Sequence, residues 1–210
     1  MKWDAVFFDF DGVILDSANI KTRAFAQMFS KYGPEIEKKV IDYHLSHSGI
    51  SRMKKIEHFY STFLSSQLNQ NELYKLCEQF SNIVFKKVLS CPMINGAMET
   101  LTLLKKNNIL SFVLSGTPQD ELNKIIQLRK LKNFFVEIFG SPMKKEEMLA
   151  ILLDRYDLLP EKCLFVGDAT TDLKAAKAYN IPFLGIVPDL KHSPFPDNTW
   201  IKKKVCLNKE

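Results

Sequence analysis

The chain has 210 residues, 46% of them hydrophobic and 25% charged, which is enough to bury a full core in one domain or in a domain with an insert. No stretch approaches the roughly 18 consecutive apolar residues of a membrane span, and Asp4 and Asp9 stand where a secretory leader is apolar, so a cytoplasmic protein with no membrane partner is expected. The net charge of +5 comes from 25 Lys and 4 Arg scattered in doublets such as Lys38-Lys39, Lys86-Lys87 and Lys105-Lys106, a solvated surface that argues against a nucleic-acid partner and suits attraction of small anions.

Ala5 to Phe10 is a short apolar run that stops at acidic and glycine residues, the pattern of a buried strand in a parallel sheet. The next stretch, about residues 18–90, reads as helices only. Within it Leu73, Leu76, Cys77, Phe80, Val84 and Val88 form one apolar stripe. Asp16-Ser17 leads into this segment, and Cys91-Pro92 with Asn95-Gly96 leads out, each pair a plausible hinge. Strand and helix then alternate. Strands are predicted at Ile109–Leu114, Phe134–Phe139, Cys163–Val166 and Phe183–Val187, and helices at Ala97–Lys106, Pro118–Leu131, Lys145–Tyr156 and Thr171–Tyr179. The alternation implies an α/β fold, a doubly wound Rossmann-like parallel sheet formed by residues 1–16 and 92–210, with residues 17–91 inserted as a helical domain. The run Lys202-Lys203-Lys204 reads as a polar end to the fold. Cys77, Cys91, Cys163 and Cys206 have no C-x-x-C spacing, which suits reduced thiols rather than a disulfide framework or a zinc site.

Four strand ends carry the chemistry. Asp9 and Asp11 flank Phe10 at the end of the first strand, next to the crevice where such sheets bind ligands. Two carboxylates this close invite a cation, although Asp-x-Asp-Gly alone is more often a plain turn. Ser115, Gly116 and Thr117 end a later strand, where a hydroxyl and following N–H groups suit a phosphate or, equally, a helix cap. Lys144 and Lys145 follow Gly140-Ser141-Pro142 between a strand and a helix. Gly167-Asp168 closes another strand, with Asp172 four residues on.

This set resembles the haloacid dehalogenase superfamily over residues 4 to about 188, in Asp9-Phe10-Asp11-Gly12-Val13, Leu114-Ser115-Gly116, Lys145 and Gly167-Asp168-Ala169-Thr170-Thr171-Asp172. The helical insert between the first two motifs is similar to the four-helix cap of β-phosphoglucomutase-like and phosphoglycolate phosphatase-like members. The resemblance implies a Mg²⁺-dependent phosphatase acting on a small phosphorylated metabolite, as a monomer or weak dimer. It makes Asp9 the nucleophile and Asp11 the general acid and base. Ser115, Gly116 and Lys145 would bind the phosphoryl oxygens, and Asp9, Asp168, Asp172 and the main-chain carbonyl of Asp11 the Mg²⁺. Arg52, in the loop Gly49-Ile50-Ser51-Arg52, is the candidate for contacting the leaving group, against a solvated arginine at a helix start. His44 and His47 are expected at the surface. Between the adjacent lysines, Lys145 is chosen because it shares a stripe with Leu149 and Leu152. Asp11 argues against a dehalogenase, whose leaving group needs no proton. A phosphomutase keeps every motif, and a non-catalytic binding module remains a remote alternative.

Overall fold

The computed structural model describes residues 2–47 and 49–207. Six strands form one parallel sheet: β1 (Ala5–Phe8), β2 (Leu110–Pro118), β3 (Glu137–Ser141), β4 (Cys163–Gly167), β5 (Phe183–Ile186) and β6 (Ile201–Lys202). Their order is β3-β2-β1-β4-β5-β6. The chain moves outward from β1 through β2 to β3, then returns to lay β4 on the other side of β1. The C-terminal ends of β1, β2 and β4 therefore border the switch in direction where open α/β sheets bind ligands.

Alternation along β1 divides the core. Val6 and Phe8 join an apolar cluster with α5 (Ala97–Lys106) and α6 (Gln119–Leu128). Ala5 and Phe7 join a second cluster with α7 (Lys145–Arg155) and α8 (Thr170–Ala178). Both faces of every central strand are thus covered, which is why these strands read as continuous apolar runs.

Among the described residues, the elements between β1 and α5 are all helical: α1 (Ala18–Phe29), α2 (Pro34–Ser46), α3 (Arg52–His58), which runs on as a π-turn over Phe59–Phe63, and α4 (Gln70–Ser90). A reciprocal cap starts α4, with the Asn69 side chain accepting from the Glu72 N–H and the Glu72 carboxylate accepting from the Asn69 N–H. Leu73, Phe80, Val84 and Val88 of its stripe are buried. Phe25, Phe29, Phe59 and Phe80 interlock, with Phe25 and Phe80 centroids 4.3 Å apart. These residues belong to the same continuous apolar cluster as Val6 and Phe8, so the helical segment is packed onto the sheet domain.

Some local expectations change. Lys202 lies in the edge strand β6, paired parallel to Ile186, because a two-residue strand is too short to show periodicity. The strand predicted at Phe134–Phe139 begins at Glu137, since Lys132–Phe134 forms a 3₁₀ turn. The helix predicted to reach Leu131 stops at Leu128, where Lys130 adopts φ 58° and breaks the helical path. All four cysteines are free. Among the described residues no helix is long and apolar enough to cross a membrane.

Candidate active site

Asp9 follows β1 directly and is 4% exposed. Its N–H donates to the Val166 carbonyl at 2.9 Å, which fixes the backbone against β4, while its Oδ1 accepts from the Phe10 N–H at 2.7 Å. The Lys145 ammonium stands 3.0 Å from the same Oδ1 and 2.5 Å from Asp172 Oδ1. Lys145 is 6% exposed at the first position of α7, whereas its neighbour Lys144 is exposed. Helical geometry explains the split, because successive residues at a helix start point about 100° apart.

Asp172 is fully buried in the first turn of α8, where its Oδ2 accepts from the Ala169 N–H at 3.0 Å. One ligand oxygen from each of Asp9, Asp168 and Asp172 fits within 4.8 Å of the others. The acids repel. Burial, opposed by Lys145 and reinforced by Asp172 and Asp11, pushes Asp9 up to about 6. Burial and the charges of Asp9 and Asp172 push Asp168 well above the ordinary carboxylate range. A site with one resident lysine and three carboxylates, two of them buried and that of Asp168 half-buried, has room for a further cation, and an oxygen-only donor set favours a hard one such as Mg²⁺. The donor chemistry therefore fits the metal. Gly12 shapes the cradle. At φ +82° it adopts a conformation that L side chains rarely take, and a Cβ there would lie 2.1 Å from Asp168 Oδ2.

The side chain of Asp11 is outside this cluster. Its carboxylate accepts from the Ser17 hydroxyl at 2.6 Å and the Thr117 hydroxyl at 2.8 Å, and pairs with the Lys21 ammonium. Burial favours its neutral form, but Lys21 and the two hydroxyl donors outweigh that and hold Asp11 below its ordinary value. That network engages the Asp11 carboxylate and not its main-chain carbonyl.

Ser115 is 1% exposed in the part of β2 where pairing with β3 slips between Leu114 and Pro118, and its Oγ accepts from the Thr117 N–H at 3.1 Å. Gly116 lies directly under the loop that leads into α3: a Cβ on it would sit 2.9 Å from the Gly49 carbonyl. The loop thus roofs the strand ends. On one side lies a cavity of about 70 Å³ bordered by Asp9, Asp11 and Asp168, and on the other a cavity of about 190 Å³ bordered by Ser115 and Lys145.

The roof contains residues that the sequence did not disclose as site residues. His44, expected at the surface, is 8% exposed and packs against Phe25 at 5.0 Å. The Lys55 ammonium, 2% exposed, lies 2.8 Å from His44 Nδ1. Burial, then the charge of Lys55, lowers His44 to about 3; burial and Lys21, against the pull of Asp168, lower Lys55 to about 7. Arg52 borders the cavity, but its guanidinium is bound twice to the Glu121 carboxylate of α6 at 2.8 and 2.7 Å, donates to the Ser81 hydroxyl, and stacks 4.7 Å over Phe80. Lys55 falls three residues after Arg52, hence on the same helix face, which is the one sequence signal for it. Lys21 and Glu121 gave no such signal, since their partners are 10 and 69 residues away.

The family of haloacid dehalogenase-like hydrolases matches residues 6–186. A protein named phosphorylated carbohydrates phosphatase, from Thermotoga maritima, is 25% identical over 193 residues, covering 89% of this chain and 87% of its own. Phosphoglycolate phosphatase 1 of Pseudomonas aeruginosa is 24% identical, covering 84% of this chain and 66% of its own. Among solved structures, a predicted phosphoglycolate phosphatase from Haemophilus somnus aligns with a TM-score of 0.73 at 18% identity, covering 97% of this chain and 95% of that one. A β-phosphoglucomutase from Clostridium difficile aligns with a TM-score of 0.73 at 20% identity, covering 96% and 91%. At such identities the structural likeness speaks to the fold.

Proposed function

The chain belongs to the haloacid dehalogenase-like hydrolases, and we propose that it is a Mg²⁺-dependent phosphatase that hydrolyses a small phosphate monoester through a phospho-aspartyl intermediate on Asp9. The observation that carries the reading is the buried Asp9 carboxylate, placed at one strand end between Lys145 and two further acids. The names of relatives that act on phosphoglycolate and phosphorylated carbohydrates support it.

In this reading an Asp9 oxygen attacks phosphorus, the ester P–O bond breaks, and Asp11 gives its proton to the departing alkoxide. Asp11 then takes a proton from water, whose oxygen attacks the phospho-aspartate, freeing phosphate and Asp9. The Lys21 contact favours ionised Asp11, the form needed for the second step. An arriving phosphate dianion opposes that effect and raises the proton affinity needed for the first. Ser115, the Gly116 backbone and Lys145 hold the phosphoryl oxygens. Asp9, Asp168, Asp172 and the Asp11 carbonyl would hold Mg²⁺, which when bound neutralises the acids and polarises the phosphoryl group. Residues 17–91 act as the cap, and residues 1–16 with 92–210 as the catalytic core, a division supported by the helices-only segment. A cytoplasmic setting belongs to the same proposal, in keeping with four free thiols.

Phosphate release from a panel of small monoesters, with and without Mg²⁺, tests the reading. Turnover that is lost with chelator, restored by Mg²⁺ and absent in Asp9→Asn supports it. Turnover unaffected by both treatments overturns it, and isomerisation of a sugar phosphate without phosphate release indicates a mutase instead.

A further inference from the structure

Three cationic side chains of the helical segment border the cavity in front of Asp9: Lys21, Arg52 and Lys55. Two of them are already matched, Lys21 by Asp11 and Arg52 by Glu121. Lys55 is different. Two of the three N–H groups of its ammonium go to His44, to Nδ1 at 2.8 Å and to the carbonyl at 3.3 Å, both neutral partners. Among the described residues no carboxylate lies within the 4 Å of an ion pair with it. It is 2% exposed, in a wall that also contains Phe25 and Phe80. A buried ammonium without a counter-ion is costly unless an anion completes it, and the one space it shares with the site is the cavity where a leaving group would lie.

We propose that Lys55, oriented by His44, is the specificity-determining residue of the site, selecting phosphate monoesters whose leaving alcohol carries a carboxylate close to the scissile phosphate. The inference rests on the phosphatase reading for the reacting end of the substrate and goes beyond it at the leaving-group end. A carboxylate follows from two features. Its single negative charge matches the single unmatched ammonium, whereas a second phosphate dianion would bring a charge with no partner. The cavity of about 70 Å³ also suits a compact group. Arg52 does not fill this role, because the Glu121 carboxylate occupies its guanidinium through two hydrogen bonds.

The test compares kcat/KM for 2-phosphoglycolate, for 2-hydroxyethyl phosphate, which has a neutral leaving group of similar size, and for the bisphosphate of ethane-1,2-diol, in wild type and in Lys55→Met and Lys55→Gln, with melting curves to verify folding. The wild type is expected to favour 2-phosphoglycolate, and both variants to lower the ratio of 2-phosphoglycolate to 2-hydroxyethyl phosphate by about 30-fold or more, the scale of losing one member of a desolvated charge pair. An unchanged ratio, with both esters still hydrolysed, overturns the role of Lys55 and leaves the phosphatase reading standing. Preference for the bisphosphate overturns the carboxylate. If the wild type hydrolyses neither ester, the phosphatase reading fails, and calorimetric binding of 2-phosphoglycolate to Asp9→Asn decides the inference separately: binding that Lys55→Met weakens supports it, and equal binding or none overturns it.

Discussion

The Arg52–Glu121 pair ties α3 to α6, joining the helical segment to the sheet domain through two hydrogen bonds between side chains that are 5% and 11% exposed. Glu121→Ala removes both acceptors and strands the guanidinium over Phe80, with Ser81 as its remaining polar partner. Removing one member of a buried pair costs about 3–5 kcal/mol, because the survivor keeps its desolvation penalty without its counter-charge. Residual exposure of Glu121 admits some water, so a loss near the lower end, about 3 kcal/mol, is expected. With a urea dependence of roughly 2–3 kcal/mol per molar, the unfolding midpoint should fall by about 1–1.5 M. Arg52→Leu should cost less, since the carboxylate it strands is the more exposed partner, at 11% against 5%, and keeps the Ser81 hydroxyl as a donor. The double variant should recover much of the loss, giving a coupling of about 2 kcal/mol, well above the roughly 0.5 kcal/mol scatter of independent sites. Urea unfolding followed by circular dichroism on the four proteins of the cycle measures each quantity. Losses that simply add, or a midpoint shift below about 0.3 M for Glu121→Ala, would refute the assignment of the pair as a buried tie.

Lys145→Ala should lower kcat/KM by about 10²-fold or more, the scale of losing an electrostatic partner of the transition state, while exposed Lys144→Ala changes it little; steady-state kinetics under saturating Mg²⁺ distinguishes them. In the metal-free protein Asp9 is raised to about 6, so the folded state binds its proton more tightly than the unfolded chain does. Its stabilising contribution is complete below the unfolded value near 3.8 and is lost as pH rises through about 6. Asp9→Asn, with nothing to ionise, should therefore gain in melting temperature relative to metal-free wild type as pH is raised from about 4 to about 7, and a constant difference across that range would contradict the cause assigned to the shift. Gly12→Ala should weaken Mg²⁺ binding measured by calorimetry, because its Cβ and the Asp168 carboxylate cannot share the space they are given; unaltered affinity would show that Asp168 is not needed for the metal.

The parts of this protein written in local pattern were legible from sequence. Continuous apolar runs and period-3.6 hydrophobicity marked the sheet and its helices, and because parallel strands end in short loops at one edge, Asp9, Ser115, Lys145 and Asp168 each announced themselves by coming soon after an apolar run. The choice of Lys145 over Lys144 was likewise local, since the apolar stripe of α7 fixes which residue faces the sheet. What the tertiary structure alone decided depends on partners distant in the chain. Sequence periodicity places Arg52 on a helix, but only the docking of α3 on α6 brings Glu121 to its guanidinium. His44 reads as a surface histidine until α1, α2 and α3 close around it. Lys55 looks like one of 25 lysines until the same packing buries it at the wall of the cavity in front of Asp9, with no carboxylate among the described residues close enough to pair with it, for burial is a property of the assembled helices and not of the residue.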